Sequence, residues 1–320
     1  MKWKHLKPVY TGVLLVFTLY VLLDTFVIAR TYEHHSDTEA SESPPAVVGE
    51  SAGHPAPEPG EASDISEDVP EWEPGDAESS DSLYQDDHIE IHFTEDRVHD
   101  TNVYIADVTV SDASLLKTAF ANNTYGRNIK QRTSEMAEEH HAILAINGDY
   151  YGVKPDGYVF KNGQLYRSDI RSRDQEDLVI YEDGTYGTII EGDTRAEDLA
   201  GQGVYNLLAF GPVLVRDSEI TVSESDEVPT YNVSNPRTAI GFAEENHFIF
   251  VVSDGRTDDN VGLTLFDLAE VMKDQGAVFA YNLDGGGSST IYFNGKVRNY
   301  TTDGYGVGER RISDIVYVGY

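Results

Sequence analysis

The 320-residue chain contains no cysteine. Disulfides, thiol nucleophiles and thiolate metal sites are therefore excluded, so stability has to come from a packed core. Basic residues are also scarce. Against 56 Asp and Glu stand 23 Lys and Arg, a formal net charge of −33. A chain of that sign lacks the basic footprint that nucleic acid requires, and no nucleic-acid partner is expected. No Lys or Arg lies between Arg30 and Arg97. The ten His form no H-E-x-x-H pair, no G-x-S-x-G elbow occurs, and no Walker-type lysine follows the glycine run at 285–287. Zincin chemistry, an α/β-hydrolase nucleophile and a nucleotide P-loop are thereby disfavoured. There is no solenoid repeat.

What is present divides into three zones. Lys2, Lys4 and Lys7 precede a largely apolar stretch from Val9 to Ala29, about the length of a bilayer-spanning helix. Positive charge on its N-terminal side predicts a cytoplasmic N-terminus. Residues 1–30 are thus expected to form a signal-anchor. The protein would be single-pass in the cell membrane, with the C-terminal domain extracellular. A cleaved signal peptide is the competing reading; the length of the stretch and the lack of an A-x-A site favour the anchor. Asp24, near the outer end, is a cost to that helix. Residues 31–87 are rich in Glu, Asp, Ser, Pro and Gly, and predict a disordered acidic linker. Residues 88–320 have the size of one large domain.

Alternating and β-branched runs dominate this third zone. His88–Phe93 and Asn102–Val110 alternate and read as strands. Asn162-Gly163 and Asp183-Gly184 mark two hairpins. Ala142–Ile146, Ala239–Ala243, His247–Val252, Ala277–Asn282, Thr290–Phe293 and Ile315–Val318 read as further strands. Helical spacing appears over Ile129–His140, with Thr133 or Ser134 as a possible start signal, and over Thr264–Asp274, with Thr264 as N-cap and Gly276 as its stop. The fold class is α+β: a mixed, strand-rich sheet with a few packing helices, in a single domain.

Three apolar strands end alike. Ala145-Ile146 runs into Asn147-Gly148-Asp149, Val251-Val252 into Ser253-Asp254-Gly255-Arg256, and Ala280-Tyr281 into Asn282-Leu283-Asp284-Gly285-Gly286-Gly287. Each Asp taken alone can simply cap a turn. Repetition at three strand ends predicts that Asp149, Asp254 and Asp284 converge, where mutual repulsion divides carboxylates into an acid and a base. Glycines after Asp284 let backbone N–H groups approach an anion. Arg237, behind Asn235-Pro236, can grip a phosphate or carboxylate, or serve as a structural ion pair. Arg310 and Arg311 are weaker candidates of the same kind. Tyr150, Tyr151, Tyr281, Tyr292 and Tyr305 can stack on a sugar or simply pack.

Taken in order, Asn147-Gly148-Asp149-Tyr150-Tyr151, Phe210-Gly211-Pro212-Val213-Leu214, Asn235-Pro236-Arg237-Thr238-Ala239, Ser253-Asp254-Gly255-Arg256 and Asn282 to Ser289 resemble the phosphodiester glycosidase domain of bacterial exported proteins. The resemblance covers about Met136 to Tyr320. It departs at Asp149, where the family carries Gly or a small residue, and at Tyr150 and Tyr151, where it carries Phe. It implies hydrolysis of a bond between a sugar anomeric carbon and a phosphodiester, such as a GlcNAc-1-phosphodiester in cell-surface glycans or glycopolymers. Asp284 is then the base or nucleophile, Asp254 and Asn147 position sugar or water, and Arg237 stabilises the leaving phosphate. Asp149, Thr238, Arg256, Asn282, Gly285, Gly286, Gly287 and Ser288 are the implied substrate contacts. No cofactor is required. Two other readings stay open: a non-catalytic domain binding phosphorylated or acidic glycans, and a module stabilised by calcium on its Asp cluster. No carboxylate spacing specifies a metal, and no metal site is assigned.

Overall fold

The computed structural model describes residues 6–32, 75–224, 234–303 and 306–320. Two antiparallel sheets carry the domain. The larger has nine strands in the order Glu219–Ile220, Val213–Arg216, Phe279–Asn282, Thr238–Glu244, His247–Ser253, Thr101–Val110, Ile89–Val98, Leu83–Gln85 and Glu78–Ser79. The smaller has five: Lys296–Val297, Ile291–Phe293, Leu144–Asn147, Asp314–Val318 and Leu116–Phe120.

Strand alternation decides how the layers stack. Phe279 and Tyr281 of the larger sheet and Leu144 and Ile146 of the smaller share one buried cluster. The intervening Ala280 faces the opposite way, under Leu265, Leu268 and Met272 of the helix Leu265–Asp274. Ala145 likewise faces Met136 and Ala137 of the helix Thr133–Glu139. The result is four layers: helix, sheet, sheet, helix. Gly241 sets the first spacing, since a Cβ there would lie 2.3 Å from Met272 Cε. Helix Leu265–Asp274 starts where expected. Thr264 Oγ1 accepts from Asp267 N at 3.0 Å, and the Asp267 carboxylate accepts from Thr264 N at 2.9 Å. A third, three-stranded sheet, Tyr186–Ile190, Glu176–Tyr181 and Val204–Leu208, has its own core around Phe160 and Leu207.

Three expectations change. The helical spacing over Ile129–His140 becomes a helix only from its possible start signal at Thr133, as Thr133–Glu139, because Gln131 and Ile312 exchange backbone hydrogen bonds at 2.9 and 2.8 Å and hold the preceding residues extended. The domain begins before residue 88. Strands Glu78–Ser79 and Leu83–Gln85 extend the large sheet, and Asp86 anchors them by accepting from His88 N and Ile89 N, both at 2.8 Å. The rest of the expected linker, 33–74, lies outside the described residues. The N-terminal stretch forms the helix Leu6–Phe26, but among the described residues no helix is long and apolar enough to cross a membrane. Asp24 lies within this helix and pairs with Arg30, a charged interruption of its apolar stretch.

Candidate active site

Strand Phe279–Asn282 lies well inside the large sheet, and residues 283–290 carry the chain across to Ile291–Phe293 in the small one. Asp284 sits on this crossing. Strand Leu144–Asn147 ends beside it. Asn147 Nδ2 donates to the Asp284 carbonyl at 2.6 Å, and its Oδ1 accepts from Thr238 Oγ1 at 2.8 Å and Thr290 N at 3.2 Å. Asn147 is therefore a buried tie between the two sheets at the level of the turn, and Thr238 is part of that tie.

The glycines are required by what surrounds them. A Cβ at Gly285 would lie 2.9 Å from the Pro236 carbonyl oxygen, at Gly286 2.9 Å from Arg256 Nη2, and at Gly287 2.7 Å from Arg310 Nη2. Gly286 also has φ of 63°, in the left-handed region. The turn thus admits two arginines at close range. Its own N–H groups are mostly engaged within the protein. Gly285 N donates to Asp284 Oδ1 at 3.0 Å, Gly286 N to Pro236 O at 2.7 Å and Ser288 N to Gly285 O at 3.2 Å. Positive charge at the site comes from side chains rather than from the expected backbone cradle.

Asp284 lies on the wall between two cavities. The larger, about 550 Å³, is lined by Lys154, Arg171, Phe210, Arg237 and Arg256 among others. The smaller, about 180 Å³, is lined by Lys130, Asn147, Ser288, Arg311 and Asp314 among others. Tyr150, Asp284 and Arg310 border both. Burial pushes the Asp284 carboxyl up to about 6, while the Ser288 hydroxyl and the Arg310 charge pull it back. Arg237 Nε donates to Leu263 O at 2.9 Å, and Arg256 donates twice to Asn235 Oδ1, at 3.1 and 2.7 Å. Burial lowers the Arg256 pKa, and the charges of Arg310 and Arg237 lower it further.

The three carboxylates do not converge. Asp254 follows strand His247–Ser253, two strands away from Phe279–Asn282, or about 10 Å at normal strand spacing. It lies in a separate cleft of about 520 Å³ with Asn102, Tyr104 and Tyr300. There it accepts from Tyr300 N at 2.8 Å and from Asn102 Nδ2 and Tyr104 OH, both at 3.2 Å. Burial raises its pKa. Asp149 turns inward instead. Its Oδ2 accepts from Lys161 Nζ and from Ala209 N, both at 3.0 Å. Lys161 lies 3.2 Å from Asp314 on its other side, and all three side chains are buried. Burial works against the Asp149 charge, but Lys161 and the Ala209 N–H outweigh it and hold that carboxyl low. Burial and then the Asp149 charge push Asp314 up to about 7.

Of the other expected contacts, Asn282 is buried and donates to Gly211 O at 2.7 Å. Among the tyrosines named from sequence, Tyr150 borders both cavities, Tyr151, Tyr281 and Tyr292 are buried in the core, and Tyr305 lies outside the described residues. Sequence reasoning missed Lys130, Lys154, Arg171, Lys161 and Asp314. Nothing in their neighbourhoods marks the first three. Lys161, beside the Asn162-Gly163 turn, read as an ordinary turn-flanking position. Among the described residues the His/Asp/Glu cluster with metal-ligand spacing is His99, Asp267 and Glu270, none of which borders either cavity at Asp284.

The model of the phosphodiester glycosidase family matches residues 140–319. An SPbeta prophage-derived uncharacterized protein of Bacillus subtilis, YomE, is 30% identical over 202 residues, covering 61% of this chain and 31% of YomE. The mouse N-acetylglucosamine-1-phosphodiester alpha-N-acetylglucosaminidase is 34% identical over 177 residues, covering 50% of this chain and 33% of the mouse protein. The chain thus aligns with about a third of the length of these relatives. In three dimensions it is similar to the catalytic domain of the zebrafish enzyme of that name, solved in a form auto-inhibited by its pro-peptide. The TM-score is 0.57 at 23% identity, over 75% of this chain and 84% of that one, a likeness of fold.

Proposed function

The chain belongs to the phosphodiester glycosidase family, and from that premise we propose that it hydrolyses sugar-1-phosphodiesters with Asp284 as the reacting carboxylate. One observation carries this reading: Asp284 is the carboxylate that lines a large cavity whose other charged residues are Lys154, Arg171, Arg237, Arg256 and Arg310. Such a cavity suits a phosphodiester, and the polar, narrower cavity on the other side of Asp284 suits the sugar ring. Either a water oxygen attacks the anomeric carbon and gives its proton to Asp284, or the Asp284 carboxylate attacks that carbon itself, and water then splits the glycosyl–Asp284 ester at its C1–O bond with its proton passing to solvent. The C1–O bond breaks, and its electron pair leaves on the phosphate oxygen as a phosphomonoester. The arginines stabilise that developing charge, so a strong general acid is not needed. Asn147 holds the Asp284 backbone in place.

The name of the mouse relative supports an α-GlcNAc-1-phosphodiester as first substrate. The full chain is expected to release GlcNAc and a matching phosphomonoester, and Asp284→Asn to abolish release. Binding of the diester without release would favour a glycan-binding domain and sink the catalytic assignment. Action outside the cytoplasm, on cell-surface glycans or glycopolymers, is supported by Lys2, Lys4 and Lys7 ahead of an apolar stretch. Recovery of the native protein in the cytoplasmic fraction would overturn that location.

A further inference from the structure

Positive charge lines both cavities that meet at Asp284. A single phosphodiester charge accounts for one of them. In the larger cavity Arg256 stands against Arg237 and Arg310. In the smaller, Lys130 stands beside Arg310, with Arg311 also on the wall. The backbone bridge between Gln131 and Ile312 holds the segments bearing Lys130 and Arg311 against each other, so this pairing is built into the fold. In each cavity a cation is made harder to keep charged, by burial and by like charge nearby: Arg256 on one side, Lys130 on the other. Among the described residues, no ion pair joins Lys130, Arg310 or Arg311 to a carboxylate. The smaller cavity's second carboxylate, Asp314, is already held 3.2 Å from Lys161. Lys130, Arg310 and Arg311 crowd a cavity whose carboxylates are Asp284 and the Lys161-held Asp314, and in a chain of net charge −33 such a cluster is arranged for an anion supplied from outside.

If the phosphodiester lies in the larger cavity, the anion in the smaller one must belong to the sugar that fills it. Resting on the reading that Asp284 opens a sugar-1-phosphodiester, we propose that the natural substrate carries a second anionic group on the sugar itself. The chemistry fits a glycopolymer whose sugars are joined by phosphodiesters, where each internal sugar bears one phosphate at its anomeric carbon and another on a hydroxyl. Lys130, Arg310 and Arg311 would grip the second phosphate. Such a site cuts within a chain rather than only at a neutral terminal sugar.

The test compares the methyl phosphodiester of α-GlcNAc with its 3-, 4- and 6-phosphorylated counterparts. Binding is measured by calorimetry on full-length Asp284→Asn, and turnover on the wild type. At least one phosphorylated ligand is expected to bind about tenfold more tightly than the plain diester. That preference should fall several-fold at high salt, and again when Lys130→Ala is added. Equal or weaker binding of all three overturns the inference. Turnover of the plain diester without any preference for phosphorylated sugar sinks this inference and leaves the catalytic reading intact. Tighter binding without turnover of any ligand does the reverse.

Discussion

Replacing Asp284 by Asn should make the protein more stable while removing its activity, and the gain should depend on pH in a specified direction. Burial pushes the Asp284 carboxyl up to about 6, against about 3.9 for an exposed aspartate. The folded state therefore holds this proton more tightly than the unfolded state between about pH 4 and 6, and stability falls as pH rises through that window. Two pKa units correspond to about 3 kcal/mol once the group is fully ionised. By linkage, about 1 kcal/mol of that penalty is present at pH 4.5 and nearly all of it at pH 7.5, a difference of about 2 kcal/mol. Asp284 keeps some solvent exposure, which trims the expected difference to about 1–2 kcal/mol. Asn retains an oxygen that can accept from Gly285 N, as Asp284 Oδ1 does at 3.0 Å, so the turn need not move.

The assay is urea unfolding of wild type and Asp284→Asn at pH 4.5 and 7.5, with kcat/KM measured in parallel. The variant's stability advantage should be about 1–2 kcal/mol larger at pH 7.5. Wild-type kcat/KM should fall about tenfold per pH unit below about 6, as the carboxylate becomes protonated. A stability difference that is flat with pH, or largest at pH 4.5, would refute the claim that this carboxylate is held desolvated. An acid limb near pH 4 would refute its assignment as the group that must be ionised.

Two further outcomes follow from the same geometry. Lys161→Met should destabilise the fold by about 3–5 kcal/mol at pH 8, because Asp149 and Asp314 are left as uncompensated buried carboxyls; urea unfolding at pH 5, where both can take a proton, should show a clearly smaller loss. Gly286→Ala should cost about 1–2 kcal/mol for its left-handed backbone and should raise KM for the diester by displacing Arg256 Nη2, which lies 2.9 Å from the added carbon; an unchanged KM would show that Arg256 does not contact substrate.

The sequence was most informative where chemistry and periodicity coincide. Phe279–Asn282 is a strand because apolar and β-forming residues fill it, and Asp284 with its glycines falls where the strand has to stop. What could not be read was which strands are neighbours. Phe279–Asn282 inserts between Val213–Arg216 and Thr238–Glu244, far apart in the chain. That order, rather than the likeness of the three strand ends, carries Asp254 into a separate cleft. Lys130 was hidden, and Arg310 stood out only as a weaker candidate, for a related reason. They lie on irregular segments, and the bridge between Gln131 and Ile312 that brings their loops together is a single long-range pairing with no local signature.

Asp149 illustrates how a carboxylate at a strand end can belong to a coupled buried set rather than be a catalytic part. A carboxylate buried there alone would be strongly unfavourable. Here Lys161 supplies the opposite charge at 3.0 Å, and Ala209 N and Tyr151 N donate hydrogen bonds at 3.0 and 3.2 Å. Gly148 is part of the same arrangement, since a Cβ there would lie 2.3 Å from Asp314 Oδ2 and force that carboxyl away. Four positions, on two strands and the end of a third, thus specify one another. The cluster still reaches the chemistry, because the Asp149 charge adds to the upward push on Asp284, and Asp314 forms part of the smaller cavity's wall. Under the assignment proposed for Asp284, Asp149 acts through the field of a fixed buried charge, since it lines neither cavity.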